Sequence, residues 1–179
     1  MQRNGTNRKK LIFDILPIIM LVLLIAIDQV TKTYFVHLDS NTDWEKTVVI
    51  SGFFEFDFIF NTGAAFGFLQ NVSWGQLFFK ILTAVALVLF VLYYIHACKK
   101  GYKWAKFSIV IIIAGTLGNF IDRLCYGKVV DFIALIFGDY HFPIFNIADA
   151  CMTIGIIMLV IHFLFLDNNA IFKKSNKNG

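Results

Sequence analysis

Residues 105–124 read AKFSIVIIIAGTLGNFIDRL, an apolar run whose few charged residues stand near its two ends. A helix needs about 20 mostly apolar residues to cross a hydrocarbon core about 30 Å thick, and this run has that length. We therefore predict that it spans a membrane. Its small residues Gly115 and Gly118 are typical of close packing between membrane helices.

Three further stretches, at residues 11–34, 76–97 and 146–166, have similar length and composition. Of the 179 residues, 58% are hydrophobic, which leaves too little polar surface for a soluble globular protein. The first stretch ends in Asp28, Lys32 and aromatic residues and has no small-residue cleavage site, so we expect it to be retained. The sequence predicts an all-α membrane protein with four transmembrane helices in a single domain, residues 1–179.

Lysine and arginine residues indicate the orientation, because positive charge accumulates on the cytoplasmic side of membrane helices. They cluster before the first helix, between the second and third, and after the fourth, at Arg3, Arg8, Lys9, Lys10, Lys99, Lys100, Lys103, Lys106, Lys173, Lys174 and Lys177. The loop at 35–75 is acidic. We expect both termini in the cytoplasm, the loops at 35–75 and 125–145 outside, and membrane lipids as partners. The net charge of +4 does not imply nucleic acid.

With this orientation, the polar residues of the helices fall at the outer ends. The sets are Asp28 and Lys32 in the first helix, Asn119, Asp122 and Arg123 in the third, and Asn146 and Asp149 in the fourth. Spacings of three or four residues place each set on one helix face. Structural ion pairs, snorkelling anchors and a helix cap would also explain several of these residues, so these alternatives stay open.

Asp131 and Asp149 are harder to explain by structure alone. Both are flanked by apolar residues, and Asp149 has no basic residue within four positions. A charged side chain at bilayer depth costs about 2.5–3.5 kcal/mol on insertion scales, so an acid there is by default a functional candidate. A pair of such acids suggests acid–base chemistry.

The outer loop contains a second element. Residues 48–60 are rich in β-branched and aromatic residues around Ser51 and Gly52, which predicts a small β-sheet. The chain continues as Asn61-Thr62-Gly63-Ala64-Ala65-Phe66-Gly67, where small residues permit a close approach of backbone or ligand.

Histidines and cysteines show no spacing typical of a metal site, so we expect no metal and no cofactor. A disulfide between Cys125 and Cys151 is left open at this point.

Four linked motifs now indicate a family. They are Asp28-Gln29-Val30-Thr31-Lys32, Asn61-Thr62-Gly63-Ala64-Ala65-Phe66, Gly118-Asn119-Phe120-Ile121-Asp122-Arg123 followed by Gly127-Lys128-Val129-Val130-Asp131-Phe132, and Phe145-Asn146-Ile147-Ala148-Asp149. Their order and spacing resemble those of the lipoprotein signal peptidases, signal peptidase II, from the first helix to the fourth.

The resemblance implies an aspartic endopeptidase that cleaves diacylglyceryl-modified bacterial prolipoproteins on the N-terminal side of the lipidated cysteine. Its catalytic dyad falls on Asp131 and Asp149. The residues that would bind substrate or hold the dyad are Asn61, Gly63, Asn119, Arg123 and Asn146, and those that would stabilise the frame are Asp28, Lys32 and Asp122. The outer sheet, at about 48–68, would form a cradle and residues 131–145 a mobile flap. We expect a monomer in the bacterial cytoplasmic membrane, with its site near the outer leaflet.

Two other classes of protein could also contain buried acids in membrane helices. A proton-coupled or ion-conducting protein could use Asp28, Asp122, Asp131 and Asp149 as a relay, but a relay needs continuity across the bilayer, and these acids lie near one leaflet. A purely structural assembly partner would leave the buried acids unexplained.

Overall fold

The computed structural model describes residues 3–63, 72 and 74–167, with side chains from residue 15 onward. It contains four long helices, α1 (Arg3–Asn41), α2 (Gly75–Lys100), α3 (Lys103–Cys125) and α4 (Ile147–Ile161), and α4 continues into a π-helical turn, His162–Leu166. Helices α1, α2 and α3, and α4 together with its π-helical turn, are long and apolar enough to cross a membrane. The prediction of an all-α membrane protein with four transmembrane helices and a small β-sheet is confirmed.

Helix α3 is the central helix of the bundle, and α1, α2 and α4 all pack against it. Two glycines bring α3 and α4 into close contact. A Cβ atom at Gly155 would lie 2.9 Å from the backbone nitrogen of Ile112, and one at Gly115 would lie 2.9 Å from that of Met152. Because only a hydrogen fits at these positions, the helix backbones approach closely, as membrane helices do when small residues line their interface.

The outward faces of α1, α2 and α4 carry large apolar side chains, which suit contact with lipid. Val22 is 60% exposed and Leu77 is 62% exposed, and such residues recur along the three helices. The buried set of the bundle instead includes charged and amide side chains. This inverted distribution places the polar residues against one another inside the protein.

The first helix is longer than the predicted span of residues 11–34. It continues to Asn41, and it packs against strands of the sheet. Phe35 is buried there and stacks on Phe132, with ring centroids 4.4 Å apart. The acidic loop predicted at residues 35–75 therefore begins after Asn41 and not at residue 35.

Four antiparallel strands form one sheet in the order β1 (Lys46–Ile50), β2 (Phe54–Asn61), β3 (Val129–Phe137) and β4 (Tyr140–His141). The predicted cradle at 48–68 is part of this sheet, which also includes a second part of the chain, β3 and β4. Residues 64–68 of the predicted cradle lie outside the described residues. The segment treated as a flap, 131–145, is not a separate loop, since most of β3 lies within it and pairs with β2.

The side chains of the basic residues before position 15, and the basic tail at residues 173–177, also lie outside the described part of the chain. All three cysteines are free thiols, so the disulfide left open between Cys125 and Cys151 is not formed.

Candidate active site

Asp131 lies on β3, where the register places it opposite Ile59 of β2. Its carboxylate is buried, with 1% of the residue exposed. Two amide groups donate to it: Nδ2 of Asn61 lies 2.9 Å from one oxygen, and Nδ2 of Asn146 lies 2.6 Å from the other. Each carboxylate oxygen thus has a donor, which offsets part of the cost of burying the group.

Asp149 stands in the first turn of α4 and is only partly buried. Its side chain accepts a hydrogen bond from Nδ2 of Asn119 at 2.7 Å and another from the backbone N–H of Asn146 at 3.2 Å. The side-chain oxygen of Asn146 in return accepts the N–H of Asp149 at 2.9 Å. The pair is a capping box, which fixes the start of α4 and the direction of the Asp149 side chain together.

Asn146 therefore contacts both aspartates. Its Nδ2 group donates to Asp131, and its backbone N–H donates to Asp149. The side chain is fully buried, and the same Nδ2 also lies 3.0 Å from Oδ1 of Asn119 and 3.1 Å from the carbonyl oxygen of Val130. One residue thus sets the positions of two acids that are distant in sequence, so the predicted helix cap at Asn146 is also a link between the acids.

Lys32 connects this pair to α1. Its ammonium group lies 2.9 Å from Asp28, from Asp122 and from Oδ1 of Asn119, and the side chain is 2% exposed. An ammonium group has three N–H donors, so all of them are used. Lys32 is therefore not a snorkelling anchor: its charge is held inside the bundle.

The two carboxylates around Lys32 carry more negative charge than one lysine neutralises. Hydrogen-bond donors stabilise the remaining negative charge. Ala148 donates its backbone N–H to Asp28 at 2.8 Å, and Val130 donates its backbone N–H to Asp122 at 3.1 Å. The side-chain amide of Gln29 donates to both carboxylates. Gln29 is a residue that spacing did not identify, because it follows Asp28 directly and adjacent helix positions do not share a face.

The end of β2 completes the network. Oδ1 of Asn61 accepts the backbone N–H of Gly63 at 2.9 Å, and the guanidinium of Arg123 contacts the carbonyl oxygens of Gly63 and Asn119, each at 3.4 Å. Gln76, in the first turn of α2, donates to the carbonyl oxygen of Thr62. Gln76 is the second residue that sequence reasoning missed, and no motif or charge pattern marked it.

All ten predicted site residues thus lie in one connected hydrogen-bond network at one end of the helices. In chain order these are Asp28, Lys32, Asn61, Gly63, Asn119, Asp122, Arg123, Asp131, Asn146 and Asp149. The other part of the second motif, Ala64 to Phe66, lies outside the described residues.

Burial and a neighbouring negative charge raise the pKa of Asp131, the aspartate on β3. Burial is the main cause that raises the pKa of Asp131, from 3.8 to about 7, and the negative charge of Asp149 adds to it. The hydrogen bonds from Asn61 and Asn146 act in the opposite direction. An acid with a pKa near 7 can both accept and release a proton at neutral pH, as general acid–base catalysis requires. Within the described ranges, no group of three or more histidine, cysteine or acidic residues could hold a metal ion.

Comparison with known proteins identifies the family. The model of the family described as Signal peptidase (SPase) II matches residues 20–165. The chain belongs to the signal peptidase II family. It is therefore a membrane enzyme of a protease family.

Relatives and solved structures agree with this membership. The lipoprotein signal peptidase of Clostridium tetani is 43% identical over 150 residues, which cover 83% of this chain and 92% of that protein. That of Symbiobacterium thermophilum is 35% identical over 85% of this chain and 96% of the relative. A solved structure described as a bacterial membrane enzyme is 37% identical, has a TM-score of 0.70, and matches over 83% of this chain and 87% of its own. The chain therefore shares its overall fold with this solved bacterial membrane enzyme.

Proposed function

We propose that this signal peptidase II is an aspartic endopeptidase whose catalytic dyad is Asp131 and Asp149. Its substrate is a bacterial prolipoprotein that carries a diacylglyceryl group on a cysteine, and it cleaves the peptide bond on the N-terminal side of that cysteine. The observation that carries the proposal is the shared contact of Asn146 with both acids. A residue that positions two carboxylates at once favours a reaction in which the two act together.

The proposed chemistry needs one water molecule and one shared proton. Two neighbouring carboxylates repel each other when both are ionised, so the pair holds a single proton near neutral pH and titrates as a unit. The ionised carboxylate takes a proton from water as the water oxygen attacks the scissile carbonyl carbon. The protonated carboxyl group hydrogen-bonds to the carbonyl oxygen, where negative charge develops.

Collapse of the tetrahedral intermediate then breaks the bond between carbon and nitrogen. The departing nitrogen takes a proton from the dyad, which leaves a free amino group on the lipid-modified cysteine and a carboxylate on the signal peptide. No covalent intermediate forms. Asp131 is buried and Asp149 is more accessible, so the two differ in their access to water.

The surroundings of the dyad suit a substrate held in a membrane. The network lies where the apolar spans meet the sheet, so a substrate with two acyl chains and an apolar signal helix can reach it from within the bilayer. We place both termini in the cytoplasm, the site near the outer leaflet of the bacterial cytoplasmic membrane, and the enzyme in the membrane as a monomer of one domain. The basic turn between α2 and α3 supports this orientation.

Cleavage of a purified diacylglyceryl-modified prolipoprotein tests the proposal. Wild type, Asp131→Asn, Asp149→Asn and the matched control Asp139→Asn are compared in nanodiscs, and cleavage is followed by gel shift. Asp139 is an exposed acid of the turn between β3 and β4. We expect wild type and the control to cleave, and both dyad variants to lose activity while remaining folded.

The same assay with an unmodified cysteine tests the lipid requirement, and it should give no product. Full activity of either dyad variant would overturn the assignment of the acids. Equal cleavage with and without the diacylglyceryl group would overturn the assignment of the substrate.

A further inference from the structure

The turn after β2 is held by side chains from two helices. Gln76 of α2 donates its amide to the carbonyl oxygen of Thr62, and Arg123 of α3 contacts the carbonyl oxygen of Gly63 at 3.4 Å. Inside the turn, the N–H of Gly63 donates to Oδ1 of Asn61 at 2.9 Å. The turn is therefore fixed from outside by two helices and from inside by the side chain of Asn61.

That internal bond also fixes which atoms of Asn61 face Asp131. The amide oxygen accepts from Gly63, so the NH2 group is the end that points to the carboxylate, where it donates at 2.9 Å. If the turn moved, this donor would move with it. The position of the Thr62 carbonyl is thus linked to the hydrogen bond on Asp131.

We propose that Gln76 is a positioning residue of this active site, which holds the Thr62 carbonyl and thereby keeps the Asn61 amide on Asp131. The inference rests on the proposed function of the dyad. Within the described part of the chain, the hydrogen bond of Gln76 goes to Thr62 and not to either acid, so its influence passes through the turn.

The hydrogen bonding of the Gln76 side chain agrees with a role in holding the turn. Its NH2 group bonds to Thr62, while its oxygen is buried and has no hydrogen-bond partner within the described part of the chain. A buried acceptor without a partner costs free energy. Retaining the amide despite this cost is consistent with a specific use of its donor.

Kinetics of Gln76→Met test the proposal, because methionine has similar length and no N–H donor. We expect kcat to fall on the order of tenfold, as for loss of one hydrogen bond that acts on a reacting group, with KM unchanged. The Asn61 bond lowers the pKa of Asp131. Its weakening should therefore move the pH profile of kcat to higher pH, which a purely structural role would not do.

Leu77→Met is the matched control, since Leu77 is the next residue of α2 and points outward, 62% exposed. It should keep the wild-type rate and pH profile. A double-mutant cycle with Asn61→Ala adds a second measurement: Gln76→Met should have no further effect once Asn61 is gone.

Three results would overturn the role of Gln76: an unchanged rate, a rise in KM alone, or additive effects in the cycle. Each leaves the proposed function intact as long as wild type cleaves and the dyad variants do not. If Gln76→Met does not fold, Gln76→Asn is measured instead, because it keeps the amide but shortens its reach by one methylene, and the same outcomes apply.

Discussion

The ammonium nitrogen of Lys32 lies 2.9 Å from Oδ1 of Asn119. Lysine has only donors, so the atom of Asn119 that faces it must be the oxygen, and the NH2 group must face the other way, toward Asp149. Nδ2 of Asn119 is indeed 2.7 Å from that carboxylate. The ammonium group of Lys32 on α1 therefore orients the Asn119 amide of α3 so that its NH2 group donates to Asp149.

Replacing Lys32 with methionine should destabilise the protein strongly. The substitution leaves the buried carboxylates of Asp28 and Asp122 without their cation, and breaking a buried ion pair from one side costs about 3–5 kcal/mol. Thermal unfolding in detergent, followed by intrinsic fluorescence, measures the loss.

Lys46→Met is the control for that experiment. Lys46 pairs with Glu55 at 2.8 Å, but its side chain is 51% exposed, and surface ion pairs contribute little to stability. An equally small effect of Lys32→Met would show that the two carboxylates do not depend on Lys32.

Asp131 should make the protein less stable as the pH rises. Its pKa is about 7 in the folded protein against 3.8 ordinarily, so between these values the folded state binds more protons than the unfolded state. The contribution of Asp131 to the free energy of unfolding is therefore greatest at low pH and is lost as the pH rises from about 4 to 7. Unfolding midpoints at a series of pH values measure the slope.

Asp131→Asn removes the titrating carboxyl group, so the part of the pH dependence of the unfolding midpoint that Asp131 causes should disappear. The exposed carboxyl group of Asp139 provides the comparison, and Asp139→Asn should keep the wild-type slope. A wild-type slope in Asp131→Asn would mean that other groups cause the pH dependence.

Two substitutions at Asn146 should separate its structural and functional roles. Asn146→Ala removes both the cap of α4 and the donor to Asp131, so stability falls by about 1 kcal/mol and activity is lost. Asn146→Ser keeps an oxygen that can accept the N–H of Asp149, so it should restore most of the stability while cleavage stays low.

Unfolding midpoints and cleavage rates of the two variants, measured side by side, distinguish the roles. Recovery of cleavage together with stability in Asn146→Ser would show that the cap alone matters. Loss of stability in both variants to the same extent would argue against the cap.

The free thiols of Cys98 and Cys125 can test the orientation. They lie at opposite ends of the bundle, near the end of α2 and at the end of α3, and both are exposed. A membrane-impermeant maleimide added to intact spheroplasts should label Cys125 and should reach Cys98 only after permeabilisation.

Cys98→Ser and Cys125→Ser assign each labelling signal to one thiol. Labelling of Cys98 in intact cells would reverse the proposed orientation and place the site at the cytoplasmic face.

The four helices could be predicted from the sequence because their length and apolar composition leave few alternatives, and the polar residues could be grouped because helical spacing identifies a shared face. Strand β3 was harder to recognise. Its residues VVDFIALIF are almost continuously apolar, so they lack the alternation that marks a strand with one solvated side. The sequence therefore predicts Asp131 as a site residue but does not predict that it lies on a strand.

The roles of Gln76 and of Gln29, which stands in the first motif, could not be predicted from the sequence for another reason. Both act through long, uncharged side chains whose partners are a distant carboxylate or a backbone carbonyl oxygen. A backbone carbonyl leaves no mark in the residue types, so such a contact is visible only once the chain is folded.

The spacing of Asp28 and Lys32 also bears on how the chain enters the membrane. The two charges lie one helical turn apart on α1, which is synthesised long before α3 and α4 supply their remaining partners. As a neutral pair, they let the first helix insert without carrying a net charge into the lipid at that depth. The same lysine also contacts Asp122 and Asn119 of α3, so the Asp28–Lys32 ion pair is the one part of this charged cluster that α1 can form by itself.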